Sequence, residues 1–382
     1  MTPAAVSAAV RPGQEALLVQ WEDGTQVEYA SVWLRDNLPE DRDSFSGQRL
    51  IDVADLPVDP RIQAASVLDG RVQITWAGES LVSSFAPEWL YAHSRAQAAA
   101  SAPAARPWLE GARLDARRDF AWEPLRSIAV DPHARLTWLT RLLADGIAFL
   151  SEVPCVESGI IDTMVHIGRI AETNYGLVFD VKAVPQPENL AYSDRGLGLH
   201  TDNPYREPVP GFQALHTLLA APDGGDSLFA DGFALAAELQ RLDAGAFATL
   251  TCTPVPFRYR SQTADLAAER ALIALDCSGA VAAVHYNSRS IAPLMLPAAD
   301  CRAFYRAYRR FANLLRQPQF QLATRLGDGE LVLFDNQRVL HGRTGFASAR
   351  HPRHLRGCYL SRDSVYSQQA LLQRQLAAGE AS

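Results

Sequence analysis

The fold class this sequence predicts is mainly β with supporting helices: a small β-rich N-terminal domain ahead of a larger β-barrel or β-sandwich core. Three observations carry it. Short apolar–polar alternations around turn signals fill the first 95 residues. Short strands separated by Pro and Gly turns return from about residue 178 onward. Clear helical periodicity is confined to a few segments after the N-terminal region. A chain of 382 residues is also too long for one average domain and suits two.

Taken in order, ALLVQWEDGTQVEYASVWLRDN alternates around Asp23-Gly24, a hairpin signal, and RVQITWAGESLVSSF repeats the pattern. Residues 1–95 are therefore expected as an accessory β domain. WLYAHSRAQAAASAPAARPW then loses periodicity and fills with Ala, Ser and Pro, so residues 96–127 are expected as a linker to a second domain over 128–382. In that domain ARLTWLTRLLADGIAFLSEVP predicts an amphipathic helix ending at Asp145-Gly146, then an apolar strand. GIIDTMVHIGRIAETNYG predicts a second helix. ADCRAFYRAYRRFANLLRQ predicts a third, with Phe304, Tyr308, Phe311 and Leu315 on one face.

Composition narrows the function classes. Net charge is −7 without a block of like charge, so the basic stripe of a nucleic-acid binder is missing. No stretch approaches the roughly 20 apolar residues of a membrane span, and no basic segment followed by an apolar core opens the chain. The cysteines Cys155, Cys252, Cys277, Cys301 and Cys358 are scattered, which predicts neither a disulfide framework nor a zinc knuckle and points to the reducing cytoplasm.

One constellation carries chemistry. In GLGLHTDNPY, His200 and Asp202 stand two apart, a spacing that puts both side chains on one face of a strand. In ELVLFDNQRVLHGRTGF an apolar strand turns at Asp335-Asn336 into a second strand carrying His341. Two histidines and one carboxylate form a facial triad that leaves positions open on iron(II) for a bidentate 2-oxoacid and dioxygen. Arg353, twelve residues on, can hold the distal carboxylate of that co-substrate through a bidentate pair.

NLAYSDRGLGLHTDNPYREPVPGFQALHTL, GGDSLFADGF and FDNQRVLHGRTGF followed by RHLRGCYLSRD resemble the γ-butyrobetaine dioxygenase branch of the taurine-dioxygenase-like iron(II)/2-oxoglutarate oxygenases. The resemblance runs over nearly the whole chain. It implies a double-stranded β-helix (jelly-roll) catalytic domain, with His200, Asp202 and His341 as iron ligands, Arg353 on 2-oxoglutarate and the Ser227 hydroxyl near the same carboxylate. It implies an aromatic cage for a trimethylammonium group from Tyr175, Phe179, Tyr192 and Tyr359, and an anionic-tail site from Asn189 and Asn287. A homodimer is expected by the same analogy. The segment LPEDRDSFSGQRL lacks the closely spaced cysteines that bind structural zinc in many members of the branch, and the first 154 residues hold no cysteine, so no zinc is expected.

Arg289 follows Asn287 by two residues and would share its face if the segment were a strand. A cation beside the tail site favours a dianion, which leans the substrate toward 2-(trimethylammonio)ethylphosphonate, with γ-butyrobetaine (giving carnitine) as the alternative and a non-catalytic sensor of quaternary amines as a remote one. His216, among apolar residues, reads as a satisfied core histidine, and His285 and His354 as structural or surface groups.

Overall fold

The computed structural model describes residues 3–94, 105–182, 195–346 and 353–380. The chain divides into two compact units, residues 1–102 and 103–382. In the first, β1 (Ala5–Val10), β2 (Ala16–Trp21) and β3 (Gln26–Ala30) form one antiparallel sheet, and β4 (Ile62–Leu68), β5 (Arg71–Trp76) and β6 (Val82–Phe85) another. The hairpin expected at Asp23-Gly24 joins β2 to β3, with Gly24 at φ +83°. Alternate residues of β2 and β5 (Leu17, Val19, Trp21; Val72, Ile74, Trp76) point into one core that Phe85 and Leu90 complete.

The second unit is a jelly roll. Its strands are β7 (Ala121–Pro124), β8 (Ile147–Ser151), β9 (Ile170–Ala171), β10 (Phe179–Lys182), β11 (Leu197–His200), β12 (Phe212–Leu219), β13 (Ser227–Asp231), β14 (Val255–Arg260), β15 (Asp265–Arg270), β16 (Ile273–Leu275), β17 (Val281–Val284), β18 (Leu322–Thr324), β19 (Leu331–Asp335), β20 (Val339–Arg343) and β21 (His354–Leu360). A seven-stranded sheet runs β10-β21-β12-β19-β8-β7 with β9 beside β21, and a four-stranded sheet runs β11-β20-β13-β18. Period-two alternation assigns the faces. Phe149, Phe334 and Val332 of the large sheet meet Phe229 and Val339 of the small one, whereas Ala148, Leu150, Phe212, Ala214, Leu331 and Leu333 pack outward. The helix Pro132–Asp145 covers that outer face with Trp138, Leu139 and Leu142. It ends, as expected, at Gly146 in the left-handed region (φ +77°). The helix Ala298–Leu315 packs Phe304, Phe311 and Leu315 against the other side of the fold, over Leu199, Ala230 and Leu340.

Three expectations need correction. Residues 105–127 are not a linker but part of the second unit. Trp108 donates its backbone N–H to Asp231 and its indole N–H to the Asp145 carbonyl (2.9 Å), and β7 pairs parallel with β8. Three aromatics, Trp108, Phe120 and Trp122, anchor a stretch whose composition alone had suggested a connector. The segment 159–176 is helical only over Gly159–Met164. Three longer helices were missed, Gly232–Leu242, Ala244–Cys252 and Arg362–Glu380. The signal of the first two was present in the caps, since Asp231 accepts from the Phe233 and Ala234 N–H groups and Asp243 from Ala246. Among the described residues no helix is long and apolar enough to cross a membrane.

Candidate active site

The two sheets fill the space between them with phenylalanines at one end and leave a cavity at the other. β10, β11, β12, β13, β20 and β21 all contribute side chains to its wall. Three groups of residues converge there.

The first is the predicted triad. His200 and His341 are direct register partners across the β11–β20 pair, their rings 4.3 Å apart. Asp202 is not on the strand as the spacing suggested, because β11 ends at His200. Instead Asn336, fully buried in the turn after β19, clamps the aspartate's backbone: its Oδ1 accepts from the Asp202 N–H (2.7 Å) and its Nδ2 donates to the Asp202 carbonyl (3.0 Å). The Asp202 carboxylate then lies 3.2 Å from His200 Nε2 and 3.7 Å from His341 Nε2, and one donor atom from each residue falls within 4.8 Å of the others.

The protonation states suit a cation. The His200 Nδ1 lies 2.9 Å from the Gly198 carbonyl, which fixes that nitrogen as the N–H and leaves the Nε2 lone pair facing the cavity. Burial and the neighbouring His200 push His341 down to about 3, so its imidazole is neutral. Burial alone would raise the Asp202 carboxyl, but His341, His200 and the Tyr359 hydroxyl outweigh it and hold it well below the usual carboxylate range. A neutral imidazole at His341 and an ionised carboxylate at Asp202 are ligand forms that iron(II) takes, and the His200 ring stands beside both.

The second group is cationic. Arg353 stands at the start of β21 and Arg343 at the end of β20; both are buried, and both line the cavity with Ser227. Burial and Arg343 push the Arg353 guanidinium down to about 10, against the opposing pull of Asp226. Two guanidiniums brought together make a wall suited to a dicarboxylate. Gly225, at φ +69°, leaves Arg353 its room, because a Cβ there would lie 3.0 Å from the arginine's Cδ.

The third group is aromatic. Tyr359 packs on Phe179 (5.2 Å) and Phe179 on Tyr175 (6.2 Å), and all three line the cavity. The Tyr359 hydroxyl also donates to Asp202 Oδ2 (2.8 Å), so one side chain touches both the aromatic wall and the triad. Asn189 and Tyr192 lie outside the described residues.

The tail site differs from expectation. β17 ends at Val284 and residues 288–290 form a turn, so Asn287 and Arg289 do not share a strand face. Asn287 is buried away from the cavity wall, its Nδ2 donating to the Thr201 carbonyl (3.0 Å) and its Oδ1 accepting from the Arg289 N–H (3.2 Å). It holds the backbone between His200 and Asp202 rather than a substrate. Arg289 does reach the cavity, where desolvation lowers its pKa while Asp202 opposes the shift. His216 is in the core as expected, where burial lowers its pKa against the opposing pull of the Val153 backbone. His354 pairs with Asp180 (3.0 Å), and His285 is buried against the Ala271 carbonyl.

Residues 121–359 match the profile of the family described as "Taurine catabolism dioxygenase TauD, TfdA family". The γ-butyrobetaine dioxygenase of Pseudomonas sp. (strain AK-1) is 37% identical over 98% of this chain and 97% of its own. The chain belongs to the TauD/TfdA dioxygenase family. The human γ-butyrobetaine dioxygenase is 29% identical over 96% of this chain and 97% of its own. A taurine dioxygenase from Burkholderia xenovorans superposes with a TM-score of 0.47 at 17% identity, covering 60% of this chain and 82% of that one. This TauD/TfdA member is an iron(II)/2-oxoglutarate-dependent dioxygenase. Two residues that the dioxygenase site uses, Asn336 and Arg343, escape the sequence reading, which notes Asn203 and Tyr205 directly after the ligands but gives them no role. Asn336 had a signal, an asparagine in the turn that delivers His341; Arg343, two residues beyond His341 on the same face, had another.

Proposed function

We propose that the enzyme hydroxylates a small trimethylammonium zwitterion, with γ-butyrobetaine as its substrate. The observation that carries this reading is one cavity holding a metal-ready triad, an aromatic wall and a separate cation. His200, Asp202 and His341 hold iron(II). Arg353, with Ser227 beside it, holds the distal carboxylate of 2-oxoglutarate. Bound together with dioxygen, that pair supplies the oxidising chemistry, in which the 2-oxoacid is decarboxylated to succinate and carbon dioxide and one oxygen atom enters a substrate C–H bond.

The protein's own part is placement. A quaternary ammonium has no N–H to donate, so the π faces of Tyr175, Phe179 and Tyr359 are its natural partners, each worth about 0.5–2 kcal/mol. Arg289 takes the anionic tail, a role that Asn287, engaged elsewhere, does not fill. Asn189 and Tyr192 complete the tail and cage by the family resemblance. The lean toward the phosphonate gives way to γ-butyrobetaine, because relatives named for that substrate align over almost the entire chain. The sensor alternative gives way to the family membership.

One observation still favours the phosphonate as a second reading. Three guanidiniums, from Arg289, Arg343 and Arg353, line the same cavity, which suits a second dianion beside 2-oxoglutarate. A succinate-coupled assay with γ-butyrobetaine and 2-(trimethylammonio)ethylphosphonate as competing substrates tests both. The expected result is a higher kcat/KM for γ-butyrobetaine. A higher value for the phosphonate transfers the assignment to it, and turnover of neither refutes the trimethylammonium reading.

A further inference from the structure

The triad and the aromatic wall are joined by a short hydrogen-bonded chain that starts one residue beyond Asp202. Asn203 adopts the left-handed conformation (φ 55°), which asparagine tolerates better than most residues. Its Oδ1 accepts from the buried Tyr205 hydroxyl at 2.6 Å, and the Tyr175 hydroxyl lies 3.3 Å from the Tyr205 oxygen. With the Tyr205 proton committed to Asn203, the Tyr175 hydroxyl is the donor in the second bond. Behind them Tyr259 stacks on Tyr205 (5.2 Å, 18° between planes) and meets Tyr175 edge-on (6.0 Å).

We infer that Tyr205 is a positioning residue that sets the aromatic wall in register with the metal-binding turn, acting through Tyr175. The inference rests on the proposed function for the identity of the substrate, but not for the geometry. The bond ties the Tyr175 hydroxyl to Tyr205 and so fixes how its ring stands in the wall. The anchor belongs to the same Asp202–Tyr205 segment that delivers the carboxylate. The distance from ammonium to triad is thereby set within four residues of chain.

Tyr205→Phe removes one oxygen and keeps the ring stacked on Tyr259; Tyr175→Phe breaks the same bond from the other side. The readouts are the KM and kcat for γ-butyrobetaine, the Kd of tetramethylammonium for enzyme loaded with Mn(II) and 2-oxoglutarate without oxygen, and the Kd of Mn(II) itself. For either variant KM and the tetramethylammonium Kd rise about five- to tenfold, more than kcat changes, while Mn(II) affinity stays within twofold of wild type. The double variant is no worse than Tyr205→Phe alone, because the bond between the two hydroxyls that Tyr175→Phe removes is already gone there. A tetramethylammonium Kd within twofold of wild type in Tyr205→Phe, multiplicative effects in the double variant, or a parallel loss of Mn(II) affinity each overturn the inference. Wild-type enzyme that binds tetramethylammonium but does not turn over γ-butyrobetaine refutes the substrate reading alone. Wild-type enzyme that binds no tetramethylammonium refutes both.

Discussion

Replacing Asn336 with alanine tests whether the triad is assembled by its turn or only by its strands. The side chain makes three hydrogen bonds, one from the Asp202 N–H, one to the Asp202 carbonyl and one to the Pro210 carbonyl (3.2 Å), and the residue is fully buried. At roughly 1 kcal/mol net for each bond, plus 1 to 3 kcal/mol for polar groups left without partners, the loss is about 4 to 6 kcal/mol. For a unit of this size, about 2 °C per kcal/mol gives a fall in Tm of about 8 to 12 °C. Because Asp202 lies beyond the end of β11, the same deletion frees the carboxylate relative to His200 and His341. Mn(II) affinity should therefore drop about 10- to 100-fold, as it does when an outer partner of a metal ligand is lost. Differential scanning fluorimetry and anaerobic calorimetric titration of Mn(II) measure the two effects. A Tm within 2 °C of wild type refutes the clamp. A large fall in Tm with unchanged Mn(II) affinity shows that the turn supports the fold and not the site.

Other substitutions separate the remaining parts. Tyr359→Phe keeps the ring on Phe179 and deletes the bond to Asp202, so Mn(II) affinity should fall about tenfold with little change in the KM for γ-butyrobetaine; the opposite split in titration and steady-state kinetics contradicts the assignment. Gly357→Ala would place a Cβ 2.5 Å from the Phe179 Cε2, displacing the ring. It should raise the KM for the ammonium substrate several-fold at constant metal affinity, and an unchanged KM removes Phe179 from the cage. His285 is pushed down to about 4, chiefly by burial, from an ordinary value of 6.5. The unfolded chain therefore takes up a proton first, so this contribution to stability is complete above about pH 6.5 and is lost as pH falls toward 4. It amounts to about 3 kcal/mol in all. His285→Gln should flatten the urea-unfolding stability between pH 7 and 5, and equal pH slopes for the two proteins would show that His285 is not the group responsible.

The parts of this enzyme that were legible in the sequence are those in which chemistry and local pattern coincide. His200, Asp202, His341 and Arg353 each sit at the edge of a short apolar run, and their residue types admit few uses. Arg289 and Asn287 show the limit of that reasoning, because their separation was read with a strand's period and β17 stops at Val284, so the two side chains diverge. Tyr205 carried only its position just after the ligands, with no role, and Tyr259 carried no signal. A tyrosine among apolar neighbours looks the same whether it faces solvent, core or cavity until the strands around it are paired. The first residues of the second unit were misjudged for a related reason: alanine and proline suggested a connector, and only the tertiary contacts of Trp108, Phe120 and Trp122 show that the stretch from 105 onward is built in.

The pairing of His200 directly opposite His341 has a mechanical consequence. β11 is the outer strand of its sheet, four residues long and held by a single neighbour. An ion shared by these two imidazoles is a staple through that edge, adding to the hydrogen bonds that hold β11 to β20. Occupancy then stabilises the whole edge by an amount that grows with the logarithm of free metal concentration. Losing the ion unfastens the strand that carries one of its ligands, His200, and leads into another, Asp202, so rebinding must also re-form the edge of the sheet.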